Sequence, residues 1–500
     1  MDLKNYKNTS FYLFISVLVI LIFRLILTAA IPLLDKTESR YGEIARIMYE
    51  TKNWVVLQID YGIPFWAKPP MSTWLSALSF ETFGVSEMAA RFPSYLLALV
   101  LLIILGKLAK TASVSFYLPA FILLTMPEFL IHAGVVSTDS GLSFCIALIM
   151  ISFWKAMQDE KYSFWNYLFF IGIGLGLLSK GPIILVLTVP PVFLWILLQK
   201  VSLKTIYLKL PWFTGILITA VISIPWYVLA EQRSPGFLDY FIVGEHFKRF
   251  LEPGWKGDLY GSGHSQPLGM IWVFLFAFAF PWIQIVLYKI WKEKKTIFKD
   301  KYVSYLVFWL FWTPLFFTIS KNILHTYILP VTIPIALLMV HWWKTYEKKN
   351  TLLKVASVFP ALAILFSFGA FATGKLDFYM NSDKYLIENQ QIDFSKNEAL
   401  YYWKDKSYSG QFYSNGKAKT VTDTKQLDSV LEIAGKSYFV VTNKKIKNIP
   451  SAYIEKMKLL DANFKSSIYL LKGNKNLKNI QKLNKTSFKA AKESLKLAKK

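Results

Sequence analysis

The sequence predicts a polytopic α-helical membrane protein with a small extracytoplasmic α/β domain near its C-terminal end. Three observations predict it. Of the 500 residues, 54% are hydrophobic and 17% aromatic, although the formal net charge is +25. Apolar runs of about 17–25 residues, the length that spans a bilayer, recur from Phe11 to about residue 372. After Gly374 the apolar runs shorten to strand length and polar residues rise. A soluble basic nucleic-acid binder does not fit, because the lysines cluster between hydrophobic runs instead of forming one stripe.

The runs give about eleven crossings, at 10–34, 92–108, 112–130, 139–156, 163–179, 182–199, 207–230, 268–289, 302–319, 325–343 and 352–372. The N-terminal "MDLKNYKNTS" enters the first run with no small-residue cleavage site, so that run reads as a retained helix rather than a signal peptide. Lysine-rich short loops stay cytoplasmic. With the N-terminus inside, every cytoplasmic loop carries lysine: "GKLAKTA", "KAMQDEKYS", "QKVSLKTIYLK", "KIWKEKKTIFKDK" and "KTYEKKN". Residues 35–91, 131–138, 231–267, 320–324 and everything beyond 372 then face outward. An odd number of crossings and the charge bias agree. This describes a multi-pass membrane protein with its C-terminus outside the cytoplasm.

Residues 1–372 therefore read as the membrane domain, 373–474 as the soluble domain and 475–500 as a lysine-rich tail. In the soluble domain "ALYYW", "AKTVTD", "SYFVVTN" and "SIYLLKG" have strand character, while "TKQLDSVLEIAG" and "SAYIEKMKLLDANF" have helical spacing. The single cysteine, Cys145, lies in an apolar run, which excludes an intramolecular disulfide and a CxxC metal site.

The outer loops hold the chemistry. In "DKTESRYGEIARIMYETKNW", Thr37 is placed to cap a helix whose first turn carries Glu38, and the helix dipole favours a carboxylate there. Tyr41, Ile44, Ala45 and Met48 repeat at helical spacing and form an apolar face suited to a membrane surface. Glu43–Arg46 and Arg46–Glu50 have the spacing of helix-surface ion pairs. In "YGIPFWAKPPMSTW", prolines make the segment rigid and non-helical. Irregular backbone at membrane depth must line protein, so Lys68 should meet an anion there rather than snorkel to headgroups. Lys180 in "LLSKGP" and Lys321 in "TISKNILHTYILP" repeat the pattern. Three outward lysines suit a phosphate or pyrophosphate embedded at the interface, such as a lipid-linked phosphate. Asp139 in "VVSTDSGLSF" opens a span as an unpaired acid, either a cap or a participant. The loop 231–267 gathers Glu245, His246, Arg249 and His264 among aromatics. Glu245–Arg249 again has surface-pair spacing, and the histidine spacing matches no metal motif, so no metal is expected.

These motifs in order, "TESRYGEIA", "PFWAKPPMSTWLSALSFETFGVSEMAARFPS", "STDSGL", "LLSKGP", "EHFKRF" and "SKNILHTYILP", resemble glycosyltransferase family 39 over about residues 10–345. The chain looks most like the bacterial branch similar to the aminoarabinose transferases that modify lipid A, which are distantly related to the protein O-mannosyltransferases. The resemblance implies a GT-C membrane fold with an extracytoplasmic active site. It also implies transfer of a sugar from polyprenyl phosphate with inversion, and neither a nucleotide sugar nor a catalytic metal. The sequence departs from the family at two places. Thr37 stands where an Asp usually precedes Glu38, and Ala67 stands where a Glu often precedes the lysine.

On this reading Glu38 is the candidate base for the acceptor, with Asp139 as the second candidate. Lys68 leads the phosphate contacts, joined by Lys321, Tyr327, Arg40 and Lys180. Tyr41, Glu245, His246, Arg249 and His264 belong to the substrate walls. The expected partners are a polyprenyl-phosphate-sugar donor, a glycolipid, glycan or protein acceptor, and membrane lipids, with no nucleic acid. A transporter or flippase of lipid-linked sugars would share the outward lysines. It would also repeat charges and helix breaks at mid-membrane, where this sequence places few charges besides Arg24.

Overall fold

A computed structural model describes residues 3–252, 255–261, 265–396, 398–433 and 435–471. The lysine-rich tail and His264 lie outside these residues. The chain is mostly helical and separates into two compact units, 1–30 with 48–364, and 31–47 with 365–500.

The first unit begins with α1 (Leu3–Ala30) and, in chain order after α2 (Thr37–Thr51), continues through α3 (Met71–Phe83) and α4 (Glu87–Thr111). Next come α5 (Leu118–Leu124), α6 (Pro127–His132), α7 (Thr138–Gln158), α8 (Phe164–Lys180), α9 (Ile183–Leu198), α10 (Leu203–Lys209) and α11 (Trp212–Arg233). Six described helices are long and apolar enough to cross a membrane, or seven if the sharply bent pair Met270–Phe278 and Trp282–Lys292 is one span. Helices α8 and α9 are apolar but shorter. Phe213, Phe366 and Phe368 are exposed on helices of this set, as lipid-facing side chains should be.

The run expected to cross at 112–130 is broken into α5 and α6 by proline at the start of each helix. The end of α6 frees carbonyls as well, and in a membrane these need donors from the protein itself. Arg24, the charge noted within the first span, supplies them. Its guanidinium donates at 2.8 Å to the carbonyls of Ile131 and of Gly134. Arg91 likewise donates to the Thr28 carbonyl at 2.9 Å. Both arginines are buried and serve the backbone.

In the second unit, five strands form one sheet in the order β4-β3-β5-β7-β6, where β3 is Ala399–Trp403, β4 Lys419–Val421, β5 Ser437–Thr442, β6 Met457–Ala462 and β7 Ser466–Leu471. Strand β3 pairs in parallel with β4 and β5, and β7 pairs antiparallel with β5 and β6. A strand covered on both faces reads as a continuous apolar run, and "ALYYW" does. Tyr401 and Trp403 pack with Leu427, Val430 and Phe439 on one face, while Leu400 and Tyr402 pack with Leu386, Ile387 and Val440 on the other. The helix expected over "SAYIEKMKLLDANF" is a correction. Only Ser451–Ile454 is helical, and Met457–Ala462 is the edge strand, because pairing with β7 overrides a local helical spacing.

The segment 31–47 folds with this sheet domain through Asp35. Its carboxylate accepts from Ser39 Oγ at 2.5 Å, Ser409 Oγ at 2.6 Å and Lys465 Nζ at 2.7 Å. Glu43 and Arg46 form a bidentate pair at 2.7 and 2.8 Å, and both are buried. The expected surface pair is therefore an interior one. The apolar face of Tyr41, Ile44, Ala45 and Met48 is likewise buried rather than laid on a membrane surface.

Candidate active site

The segment around Lys68 is built by its own local chemistry. Gln58–Asp60 and Ile63–Pro64 pair as a short antiparallel hairpin. Gly62, at φ +74°, takes the left-handed turn position there that glycine accepts without strain. Three prolines then keep the chain out of a helix until α3 begins at Met71. Tyr260 covers this backbone from the 231–267 loop. Its hydroxyl accepts from the Trp66 N–H at 3.0 Å and donates to the Pro64 carbonyl at 2.9 Å, and its ring meets Phe65 at 4.7 Å. The Trp66 indole donates to Ser234 Oγ at 2.8 Å. The irregular segment is lined by protein.

Lys68 Nζ donates to the Ala67 carbonyl at 2.6 Å and to Glu245 Oε2 at 2.8 Å. The same carboxylate accepts from Arg249 Nη1 at 3.0 and 2.9 Å. Asp258 Oδ2 lies 3.6 Å from Arg249 Nη2. The Glu245–Arg249 pair is thus not a surface pair, for the Glu245 side chain is only 3% exposed. Burial opposes ionisation of Glu245, but the charges and hydrogen bonds of Lys68 and Arg249 outweigh it and hold the carboxyl below the usual glutamate range.

Glu245 stands on a π-helix, Asp239–Lys248. Such wide turns aim consecutive side chains differently from an α-helix and recur at functional sites. Gly244 is required by close approach, since a Cβ there would meet the Trp255 ring at 2.6 Å. The next residue, His246, serves another segment. Its Nδ1 is 2.8 Å from the Phe241 carbonyl and its Nε2 3.2 Å from the Lys180 carbonyl. Burial pushes the His246 imidazole down, so it stays neutral with one N–H, which we assign to the shorter contact. The π-helix therefore pairs with Lys68 through Glu245 and packs on the Lys180 turn through Phe241 and His246.

Lys180 closes α8 and donates to Asp139 Oδ1 at the start of α7. Asp139 is paired, which corrects its reading as an unpaired acid. The Tyr327 ring lies 4.6 Å from Lys180 Nζ. Gly181, at φ +78°, has its Cβ direction filled by Phe241 at 2.6 Å. Any side chain there would push the Lys180 turn off the π-helix.

The structure thus brings together Lys68, Asp139, Lys180, Glu245, His246, Arg249 and Tyr327 in the first unit. Lys321 is exposed, and its backbone carbonyl accepts from Gln266 N at 2.8 Å. Glu38, Arg40 and Tyr41 fold with the second unit. There Glu38 is buried and accepts from the Leu34 N–H at 3.2 Å, a contact that fits the start of α2. The Arg40 guanidinium lies 5.3 Å from the Tyr41 ring and 5.9 Å from that of Tyr408. Sequence reasoning missed Tyr260 and Asp258. The aromatic and acidic content of "GDLYGSG" was the available signal.

The Glu245 network predicts a pH dependence. A depressed carboxyl stabilises the fold fully above its unfolded pKa, and that contribution is lost as pH falls through the lower folded value. Glu245→Gln should therefore lower the melting temperature at neutral pH, and the gap to wild type should close below the ordinary glutamate range, about pH 4.3. Melting curves of the purified protein from neutral to acid pH test this. A gap that widens on acidification contradicts the network.

Residues 9–241 match the family model described as dolichyl-phosphate-mannose-protein mannosyltransferase. Among curated proteins, the chain is 31% identical over 336 residues to the undecaprenyl phosphate-alpha-4-amino-4-deoxy-L-arabinose arabinosyl transferase of Wigglesworthia glossinidia brevipalpis, covering 64% of this chain and 57% of that protein. It is 29% identical over 317 residues to the protein of that name in Serratia proteamaculans, covering 60% of this chain and 54% of the relative. The chain thus spans just over half the length of these relatives. The fold matches the crystal structure of ArnT from Cupriavidus metallidurans bound to undecaprenyl phosphate with a TM-score of 0.73, at 17% identity, over 92% of this chain and 98% of that one. The matched family model, the named relatives and the shared architecture agree with the motif order: the chain is similar to this mannosyltransferase family over residues 9–241, and it has the fold of ArnT.

Proposed function

We propose that this protein is an integral-membrane glycosyltransferase that moves a sugar from a polyprenyl-phosphate carrier to an extracytoplasmic acceptor with inversion. The observation that carries this is the buried carboxylate of Glu245 holding two cations, Lys68 and Arg249, beside the Lys180–Tyr327 pair. Fixed cations are what a departing phosphate needs. The relatives named for a transferase acting with undecaprenyl phosphate support the same donor class. The acceptor is a hydroxyl of lipid A, of another glycan or of a protein.

In the transfer, the acceptor oxygen attacks the anomeric carbon from the face opposite the phosphate. Its proton passes to a carboxylate, the bond from that carbon to the phosphate oxygen breaks, and polyprenyl phosphate leaves. Lys68 and Arg249 take up the charge developing on the leaving oxygen, with Lys180, Lys321 and Arg40 as further phosphate contacts and Tyr327 fixing Lys180. Glu38 is assigned as the base from its place in the first-loop motif. Asp139 is engaged with Lys180 and is assigned to orient it. Tyr41, His246 and His264 are assigned to substrate walls, and no metal is assigned to the transfer step.

With about eleven crossings, the lysine-bearing loops lie in the cytoplasm of a bacterial inner membrane. Residues 1–372 form the catalytic membrane domain, 373–474 an extracytoplasmic domain and 475–500 its tail. An alkaline phosphatase fusion after residue 380 should be active, since that enzyme matures only outside. Activity from a cytoplasmic reporter at the same point would reverse the orientation.

A purified-enzyme transfer assay tests the roles. Lys68→Ala should lower turnover about a hundredfold, on the order of 3 kcal/mol for one lost charge-assisted contact in a water-poor site. Glu38→Gln should abolish transfer yet retain donor binding, and Asp139→Asn should impair it less. Near-normal turnover in Lys68→Ala would remove the phosphate role. A reversed order of the two carboxylate variants would move the base to Asp139.

A further inference from the structure

Away from the Lys68–Glu245 network, a second cluster of donor side chains has no role in the reading above. Glu128 and His132 stand one turn apart on α6, and His325 opens the 3-10 helix His325–Val331 that also carries Tyr327. One donor atom from each lies within 4.8 Å of the others. His132 Nδ1 is 2.9 Å from Glu128 Oε1, and His325 Nδ1 is 2.9 Å from Glu128 Oε2. The Glu128 side chain has no solvent exposure, His132 has 5%, and His325 keeps 37%.

We infer that Glu128, His132 and His325 form a binding site for a zinc-class divalent cation. A carboxylate withdrawn from water needs a compensating charge. Among the described residues, the ion pairs of Glu128 are with these two imidazoles, and no lysine or arginine joins them. The imidazoles cancel that charge only when protonated, whereas a divalent ion cancels it with both rings neutral. Two imidazoles and one carboxylate form a three-ligand set of the kind zinc accepts, with a fourth position open. That position would face the exposed side of His325. Tetrahedral bonds of about 2.0–2.2 Å set ligand atoms roughly 3.4 Å apart, so the two 2.9 Å contacts would open slightly as the ion replaces their hydrogens.

The surroundings suit ligation. His132 Nδ1 also lies 2.9 Å from the Glu128 carbonyl, which holds the ring over its own helical turn. Phe278 stacks on the His325 ring at 5.0 Å and 17°, fixing its plane. Glu128 and His325 are 197 residues apart, so a bound ion would tie the broken span α5–α6 to the segment that presents Tyr327. The site stands on these residues alone, whether or not the transfer reading holds.

The test uses the full-length protein in detergent, stripped with chelator, reloaded with zinc and freed of excess by gel filtration. Wild type should retain one more zinc per chain than His325→Ala, a change at a partly exposed position. Cobalt-loaded wild type should show four-coordinate ligand-field bands that His325→Ala lacks. Equal metal content in the two proteins overturns the site and leaves a His–Glu–His hydrogen-bonded chain. Zinc-edge X-ray absorption on wild type alone provides the check if the variant misfolds. Two imidazoles with oxygen ligands support the site, and a shell without imidazole rejects it.

Discussion

One buried carboxylate organises the candidate site. Glu245 takes Lys68 from one side and Arg249 from the other, and it is the most buried member of the three. Removing one member of such a buried set costs about 3–5 kcal/mol, because the remaining charge is left uncompensated. Asp258 also lies 3.6 Å from Arg249, so two carboxylates balance the two cations, and a phosphate would compete with them for Lys68 and Arg249.

The fold puts that carboxylate in place by unusual backbone. A π-helix turns Glu245 toward the proline-stiffened segment and His246 toward the Lys180 turn, so one short element fixes two loops. Glycines at 181 and 244 permit the close packing this needs. Elsewhere the same economy appears at the end of α6, where Arg24 satisfies freed carbonyls in place of solvent. Charges inside the membrane unit serve backbone repair or ion pairing.

That the chain is mostly apolar helix with several runs of spanning length was legible in the sequence, because such runs depend on local composition alone; among the described residues six or seven helices, not eleven, have that length. The proline-stiffened lysine segment was legible too, since proline acts locally. The partners were not. Lys68 and Glu245 are 177 residues apart, and nothing in a helical i,i+4 spacing tells a surface pair from a buried one. The same blindness applied to Glu43–Arg46, and to Asp139, whose cation comes from the end of the next helix. Met457–Ala462 read as helix because its strand state comes from β7 and not from its own spacing. Of the metal-type cluster, the Glu128–His132 spacing was visible, but His325 joins it only through the fold.

The central claim is that the Lys68–Glu245–Arg249 network receives the phosphate of a lipid carrier. Its most direct test compares binding of undecaprenyl phosphate with binding of undecaprenol, the same chain without phosphate, to the purified wild type and to Lys68→Ala. The phosphate form should bind wild type about a hundredfold more tightly, the worth of a charge-assisted contact in a water-poor site, and Lys68→Ala should erase most of that preference. Equal affinity of wild type for the two lipids, or a preference that survives intact in Lys68→Ala, would contradict the account.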